Sequence, residues 1–270
     1  MPSAACAAGA SRETNGAMIR IMTYNVHGCV GCDGRLDHAR IAEVIAAEGA
    51  DVVALQELDV SRERSGRVHQ ARIIADLLNM QFHFHPAHRI REEEEYGDAL
   101  LARWPLRLRR AAELPTVKER LAFEPRGALW SSITVNGREI QVINTHLGLS
   151  NNERKAQIAA LMGADWLQHA DCTPPRVLCG DFNALPCSAV YKRACRGMSD
   201  TQRMLPGQRP KATFPSRWPL VRLDYIFVSA GFTCDHVRVV NTPLARVASD
   251  HLPLVADLHL PTDAEFKAET

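Results

Sequence analysis

VLCGDFN, residues 177 to 183, opens as a strand and closes as a site: three apolar side chains run into a glycine, an acid, an aromatic and an amide. A short apolar run stopped by Gly and Asp reads as a buried strand that ends in a turn. The same order recurs along the chain. IRIMTYN ends at Asn25, DVVALQE at Glu57 and IQVINTH at His146, as VLCGDFN ends at Asp181 and Asn183. Strands that finish at one sheet edge would gather these groups in one place.

Outward from these four runs, further β-like segments are expected at Ala99 to Ala102, Leu129 to Val135, Tyr225 to Val228, Val237 to Val240 and Leu254 to Leu258. Helices cover them. The first starts at Asp37 as N-cap with Ile41, Val44 and Ile45 on one face, and the second spans about Val68 to Leu78 and repeats that spacing with Ile73, Ile74, Leu77 and Leu78. Ser150 and Glu153 have capping-box spacing, which places a third helix there with Ile158, Leu161, Met162 and Trp166 turned inward. His83, His85 and His88 alternate in QFHFHPAHR and read as the solvent-facing side of an edge strand. The acidic run Glu92 to Glu95 reads as an exposed loop, and no internal repeat is visible.

The 270 residues with 46% hydrophobic content suffice for one sizeable core, and no linker divides them. The expected organisation is a leader over 1–17, one domain over 18–262 and a tail over 263–270. Lys plus Arg total 32 against 31 Asp plus Glu, so no global positive field draws the chain to nucleic acid. RWPLRLRR, Arg103 to Arg110, is a local basic stretch that a solvated strand or turn explains as well as a phosphate-tracking surface. The eight cysteines lack a secretion signal or a second metal-spaced pair beside Cys29 and Cys32, so a reduced, cytoplasmic protein is expected. No apolar run approaches the ~20 residues of a membrane span, and no protein partner can be read.

Taken singly, Asn25, Glu57, Asp181 and Asn183 have local explanations in turns and loop caps. Together, Glu57, Asp181, Asp250 and the amide oxygens of Asn25 and Asn183 form the hard-oxygen donor set that Mg²⁺ prefers, with Mn²⁺ as an alternative, whereas zinc would recruit His and Cys. Asp224 opens another β-run, and His251 follows Asp250 where a loop enters the last strand. Asp224 would fix the His251 tautomer, and His146 would supply a second proton-transfer group.

The strings MTYNVHG (22 to 28), VVALQELD (52 to 59), YGDALLARWPL (96 to 106), INTHLG (143 to 148), GDFNALP (180 to 186), LDYIFVS (223 to 229) and SDHLP (249 to 253) resemble, in order, the endonuclease/exonuclease/phosphatase superfamily, also called DNase I-like. The resemblance runs from about Ile19 to Leu260. It implies an α/β fold, a four-layered sandwich of two central, mostly antiparallel β-sheets flanked by helices, with the active site at one edge of the sheets. It implies a phosphodiester substrate, nucleic acid or a phospholipid or small molecule, with Glu57 as principal Mg²⁺ ligand helped by Asn25 and Asp250. Asn25 and Asn183 would hold the phosphate, and Asp181 with Asn183 would position or activate the attacking water. Asp224 would orient His251, His146 would be the second catalytic histidine, and the base is assigned jointly to Asp181 and the Asp224/His251 pair.

One position departs from the family pattern: Asp98 stands where many members have Asn, so it either adds negative charge near the phosphate or caps a turn beside Gly97. The superfamily also contains phospholipid and inositol-phosphate phosphoesterases, and members that keep the fold as binding proteins without the chemistry. In TFPSRWPLVRLD (213 to 224), Phe214, Trp218 and Leu220 would form either an apolar rim at the site entrance or, by the larger share, buried packing.

Overall fold

The computed structural model describes residues 17–89, 93–117 and 124–260, so the expected tail, the leader before Ala17 and Glu92 of the acidic run lie outside the described residues. Among the described residues, twelve strands form two six-stranded sheets. In the first, the order is β11 (Thr233–Val239), β12 (Leu254–His259), β1 (Met18–Asn25), β2 (Val52–Val60), β4 (Glu95–Ala102) and β3 (Gln81–Arg89). The second runs β5 (Leu106–Glu113), β6 (Gly127–Val135), β7 (Arg138–His146), β8 (Arg176–Asp181), β10 (Asp224–Val228) and β9 (Ser199–Asp200). Only β1 with β2 and β7 with β8 pair in parallel among these neighbours. Parallel neighbours need a crossover, and a helix supplies it each time: α1 (His38–Glu48) between β1 and β2, and α3 (Asn151–Leu161) between β7 and β8. The halves therefore repeat in topology, a repeat that leaves no trace in the sequence.

Three apolar clusters make the layers. Ile19, Ile21, Val52 and Ala54 of the first sheet face Val142, Val177, Cys179 and Ile226 of the second. On the outer side of the first sheet, Met22, Tyr24 and Val53 pack with Ile41, Val44 and Ile45 of α1, Ile74 of α2 (Gln70–Leu78) and Ala245 of α5 (Pro243–Ala248). On the outer side of the second, Ile143, Leu178 and Phe227 pack with Ile158 and Leu161 of α3 and Val190 of α4 (Ala189–Ala194). Alternation along each strand sends one set of side chains between the sheets and the other under the helices. The result is the α/β four-layered sandwich with mostly antiparallel sheets.

Local expectations meet the structure with some differences. Asp37 caps α1, its side chain accepting from Arg40 N. Trp166 is buried as expected but follows α3, which ends at Leu161. β3 is an edge strand, yet His83 and His85 do not face solvent. His83 Nε2 lies 3.1 Å from Leu106 O of β5, and His85 is packed so closely on Gly127 that a Cβ there would lie 2.6 Å from its ring. The edge strands of the two sheets stack, so both faces of β3 are partly covered.

Candidate active site

The parallel pairs β1/β2 and β7/β8 end at the same side of the sandwich, and there the polar strand ends meet. Register sets the lateral order: His146 is opposite Asp181, and Asp181 opposite Asp224. Gly180 makes this approach possible. Its φ is +139°, and a Cβ would fall 1.8 Å from Thr145 O, so no other residue fits without moving β7.

Glu57 reaches the site through a bulge. Leu55 pairs with Ala99 but Leu58 with Gly97, so two β2 residues oppose Asp98, and Glu57 has φ +64°. A bulge re-aims a side chain that regular alternation would send elsewhere. Asn25 Nδ2 donates to Glu57 Oε1 and to Asp181 Oδ2, both at 3.0 Å. Its Oδ1 accepts from His27 N at 3.1 Å, so the amide here presents its NH₂ rather than its oxygen to the carboxylates. His27 Nδ1 lies 3.5 Å from Glu57 Oε2 and 3.7 Å from Asp250 Oδ1, bridging two of the expected metal ligands.

Asp181 Oδ2 is the point of convergence. His146 Nε2 is 3.5 Å and His251 Nε2 3.6 Å away, in addition to the Asn25 amide. The other oxygen, Oδ1, accepts from Asn183 N at 2.9 Å, so the Asx turn and the site share one carboxylate. Asp224 Oδ2 lies 2.9 Å from His251 Nδ1. That contact fixes Nδ1 as the donor and points Nε2 at Asp181. Ser249 Oγ donates to Asn25 O at 2.8 Å, tying the His251 loop to the end of β1.

Electrostatics divides these groups into roles. Burial pushes the Asp181 carboxyl up to about 7, against the pull of His251. Burial works to lower His251, but Asp224 and Asp181 outweigh it and raise the imidazole to about 10. Burial and the Arg126 charge drive His146 well below 6.5, so its ring is neutral. Burial would raise Glu57, but His27, His146 and Asn25 hold it well below the usual carboxylate range. Asp98 lies inside β4 rather than in a turn and is 2% exposed. Burial pushes it up to about 8 despite Arg126, so at neutral pH it is mostly an uncharged carboxyl and adds little repulsion to an anionic substrate.

Arg126 is a site residue that no sequence pattern marked. Its Nη1 lies 3.2 Å from His146 Nδ1, while Asn183 Nδ2 lies 3.0 Å from His146 Nε2. A neutral imidazole has one acceptor nitrogen, so it satisfies one of these donors and leaves the other for an anionic oxygen. His27 was also missed, although it sits two residues beyond Asn25.

A hard divalent cation fits the Glu57 side. The donors are an ionised carboxylate partnered by an amide and two histidines, with Asp250 across His27. Asp181, Asp224 and His251 also offer ligand atoms within 4.8 Å of one another. There, however, Asp224 and Asp181 raise His251 to about 10, so its Nε2 carries a proton rather than a free lone pair, an arrangement suited to moving a proton.

The model of the Endonuclease/Exonuclease/phosphatase family matches residues 22–251. The chain is 28% identical over 263 residues to the uncharacterized protein YbhP of Escherichia coli, covering 92% of this chain and 99% of that protein. Among solved structures it is similar to an endonuclease/exonuclease/phosphatase from Beutenbergia cavernae, with 25% identity, TM-score 0.71 and coverage of 90% of this chain and 72% of that one. Two more distant structures share the fold. The human Nocturnin catalytic domain with bound sulfate has 24% identity and TM-score 0.67 over 90% of this chain and 94% of that one. A Bacteroides thetaiotaomicron mannosyl-6-phosphatase has 17% identity and TM-score 0.71 over 89% and 99%.

Proposed function

The chain belongs to the endonuclease/exonuclease/phosphatase family, whose members are generally hydrolases of phosphoesters, and from that premise we propose that it is a Mg²⁺- or Mn²⁺-dependent phosphodiesterase. The observation that carries this reading is the convergence on Asp181 Oδ2 of Asn25, His146 and His251 within 3.0 to 3.6 Å. An anionic diester repels a nucleophile, so a catalyst must neutralise the nonbridging oxygens, align a water and stabilise the departing oxygen.

In the proposed mechanism, Asp181 holds the attacking water and takes its proton, a task suited to a carboxyl poised near neutrality. The His251 imidazolium, held by Asp224, offers its Nε2–H to the same region and balances the charge that builds there. Whichever of Arg126 and Asn183 the neutral His146 ring leaves free would hold a nonbridging oxygen. Glu57, with Asp250 and after rotation of its amide Asn25, would hold the cation. When bound, that cation supplies positive charge to the phosphoryl and leaving oxygens.

The test is turnover of bis(p-nitrophenyl) phosphate against p-nitrophenyl phosphate by the purified protein with Mg²⁺ or Mn²⁺. The reading expects the diester to be hydrolysed and Asp181→Asn to lose on the order of 10² to 10³ in rate. Hydrolysis of the monoester alone would contradict it.

A further inference from the structure

We propose that the catalytic end docks on an anionic phospholipid surface through a rim centred on the hairpin of residues 214–221, so that the phosphodiester is presented by a membrane lipid. This rests on the phosphodiesterase reading above. The expectation that Trp218 and Leu220 are buried packing is overturned: they are 78% and 80% exposed. Their hairpin is nevertheless tightly built. Phe214 and Val221 bridge, Leu220 N donates to Phe214 O at 2.8 Å, and Trp218 N to Pro215 O at 3.1 Å.

The hairpin base belongs to the site. The Phe214 ring lies 4.8 Å from that of His251, and Ser216 N donates to Asp250 O at 2.7 Å. The tip, Arg217–Trp218–Pro219–Leu220, therefore stands beside the mouth. Leu149 follows β7, Leu185 follows β8, and Leu36 lies in the loop after β1, which Arg217 Nη2 reaches at Cys32 O, 2.8 Å away. Five of the eight large apolar side chains exposed among the described residues thus sit on loops at this one end, with Met18, Leu77 and Leu108 elsewhere. Scattered surface apolar residues need no explanation, but a concentration around a candidate site marks an interaction surface.

Charge and residue type select the occupant. On these loops Arg35 and Arg217 are exposed, as is Lys155 at the start of α3, whereas Asp33 is tied to Arg40 at 2.8 Å, Asp37 caps α1 and Glu153 of α3 is buried. The outward charge is positive, which suits anionic headgroups. A single-stranded nucleic acid would want successive aromatic faces for its bases. Here one Trp stands among four leucines, a composition that gains from hydrocarbon and that places Trp at the headgroup level. No helix among the described residues is long and apolar enough to cross a membrane.

The test is flotation with vesicles of phosphatidylcholine plus phosphatidylglycerol, against phosphatidylcholine alone, for the wild type and the double variant Trp218→Ser/Leu220→Ser. The wild type is expected to float with the anionic vesicles, and the variant's bound fraction to fall at least about tenfold with its turnover of soluble bis(p-nitrophenyl) phosphate unchanged. Equal flotation of variant and wild type overturns the docking surface. So does a wild type that ignores vesicles but has its tryptophan fluorescence quenched by a single-stranded oligonucleotide, with the quenching lost in the double variant. A protein that floats yet hydrolyses no soluble diester overturns instead the phosphodiesterase reading, and the lipid substrate with it.

Discussion

Asn144, fully buried on β7, is a polar bridge between the two sheets, and its loss should be costly. Its Nδ2 donates to Leu55 O and Ala99 O, each at 2.9 Å, in the opposite sheet, and its Oδ1 accepts from Gln56 Nε2 at 2.7 Å. The two carbonyls lie where the β2–β4 ladder gives way to the Glu57 bulge. In Asn144→Ala both lose this donor in a dry environment, whereas Gln56 keeps Thr23 Oγ1 and Ala54 O at 3.1 Å. At about 1 to 3 kcal/mol for each carbonyl that loses its side-chain donor, with a small cavity added, the expected destabilisation is about 3 to 5 kcal/mol. For a domain of this size that is a fall in Tm of about 6 to 20 °C. Asn144→Leu should not rescue, since it fills the space and satisfies neither carbonyl. Asn144→Asp should be worse still, because it sets a carboxylate against two carbonyl oxygens. Urea unfolding and calorimetry of the three variants measure this order. A loss under about 1 kcal/mol for Asn144→Ala would refute the idea that this amide holds the sheets in register around the site.

Other expectations follow from single contacts. His251→Ala should cost on the order of 10² to 10³ in diester turnover, and Asp224→Asn should add little in the double variant, because the pair acts as a unit; additive losses in steady-state kinetics would contradict this. His69 caps α2 by accepting from Arg72 N on Nδ1 at 3.3 Å, which requires a neutral ring. Burial and Arg72 hold its pKa below 6.5, so this contribution is complete above the unfolded value and is lost as pH falls through the lower folded value. His69→Asn keeps an acceptor that does not titrate, so its Tm should fall less than that of the wild type between pH 7.5 and pH 5, about neutrality to mild acid; parallel falls would contradict the cap. Gly180→Ala should prevent accumulation of folded protein, since its Cβ would meet Thr145 O at 1.8 Å, and a soluble variant with unchanged Tm would show that β7 yields.

Most of the candidate site was legible because its residues end apolar runs. Asn25, His146 and Asp181 sit at the last position of β1, β7 and β8, where the hydrophobic pattern must stop. Glu57 was legible as a run's end for the wrong reason: β2 continues to Val60, and the residue escapes the sheet through a bulge that VVALQELDV does not announce. Arg126 and His27 carry no pattern, because their placement depends on which loops the two sheets bring together. β3 and β5 are polar and short of β-branched residues, so their strand character comes from pairing with β4 and β6 rather than from local preference. Trp218 and Leu220 could not be sorted from composition, since an apolar loop residue has no period to say which way it faces.

The most direct test of the central claim is metal add-back to the protein stripped with EDTA, with bis(p-nitrophenyl) phosphate as substrate and Glu57→Gln beside the wild type. The account predicts no turnover after stripping, recovery of the wild type with Mg²⁺ or Mn²⁺, and in Glu57→Gln a greatly raised metal requirement. Turnover that persists in EDTA, or a Glu57→Gln variant that recovers like the wild type, would contradict it.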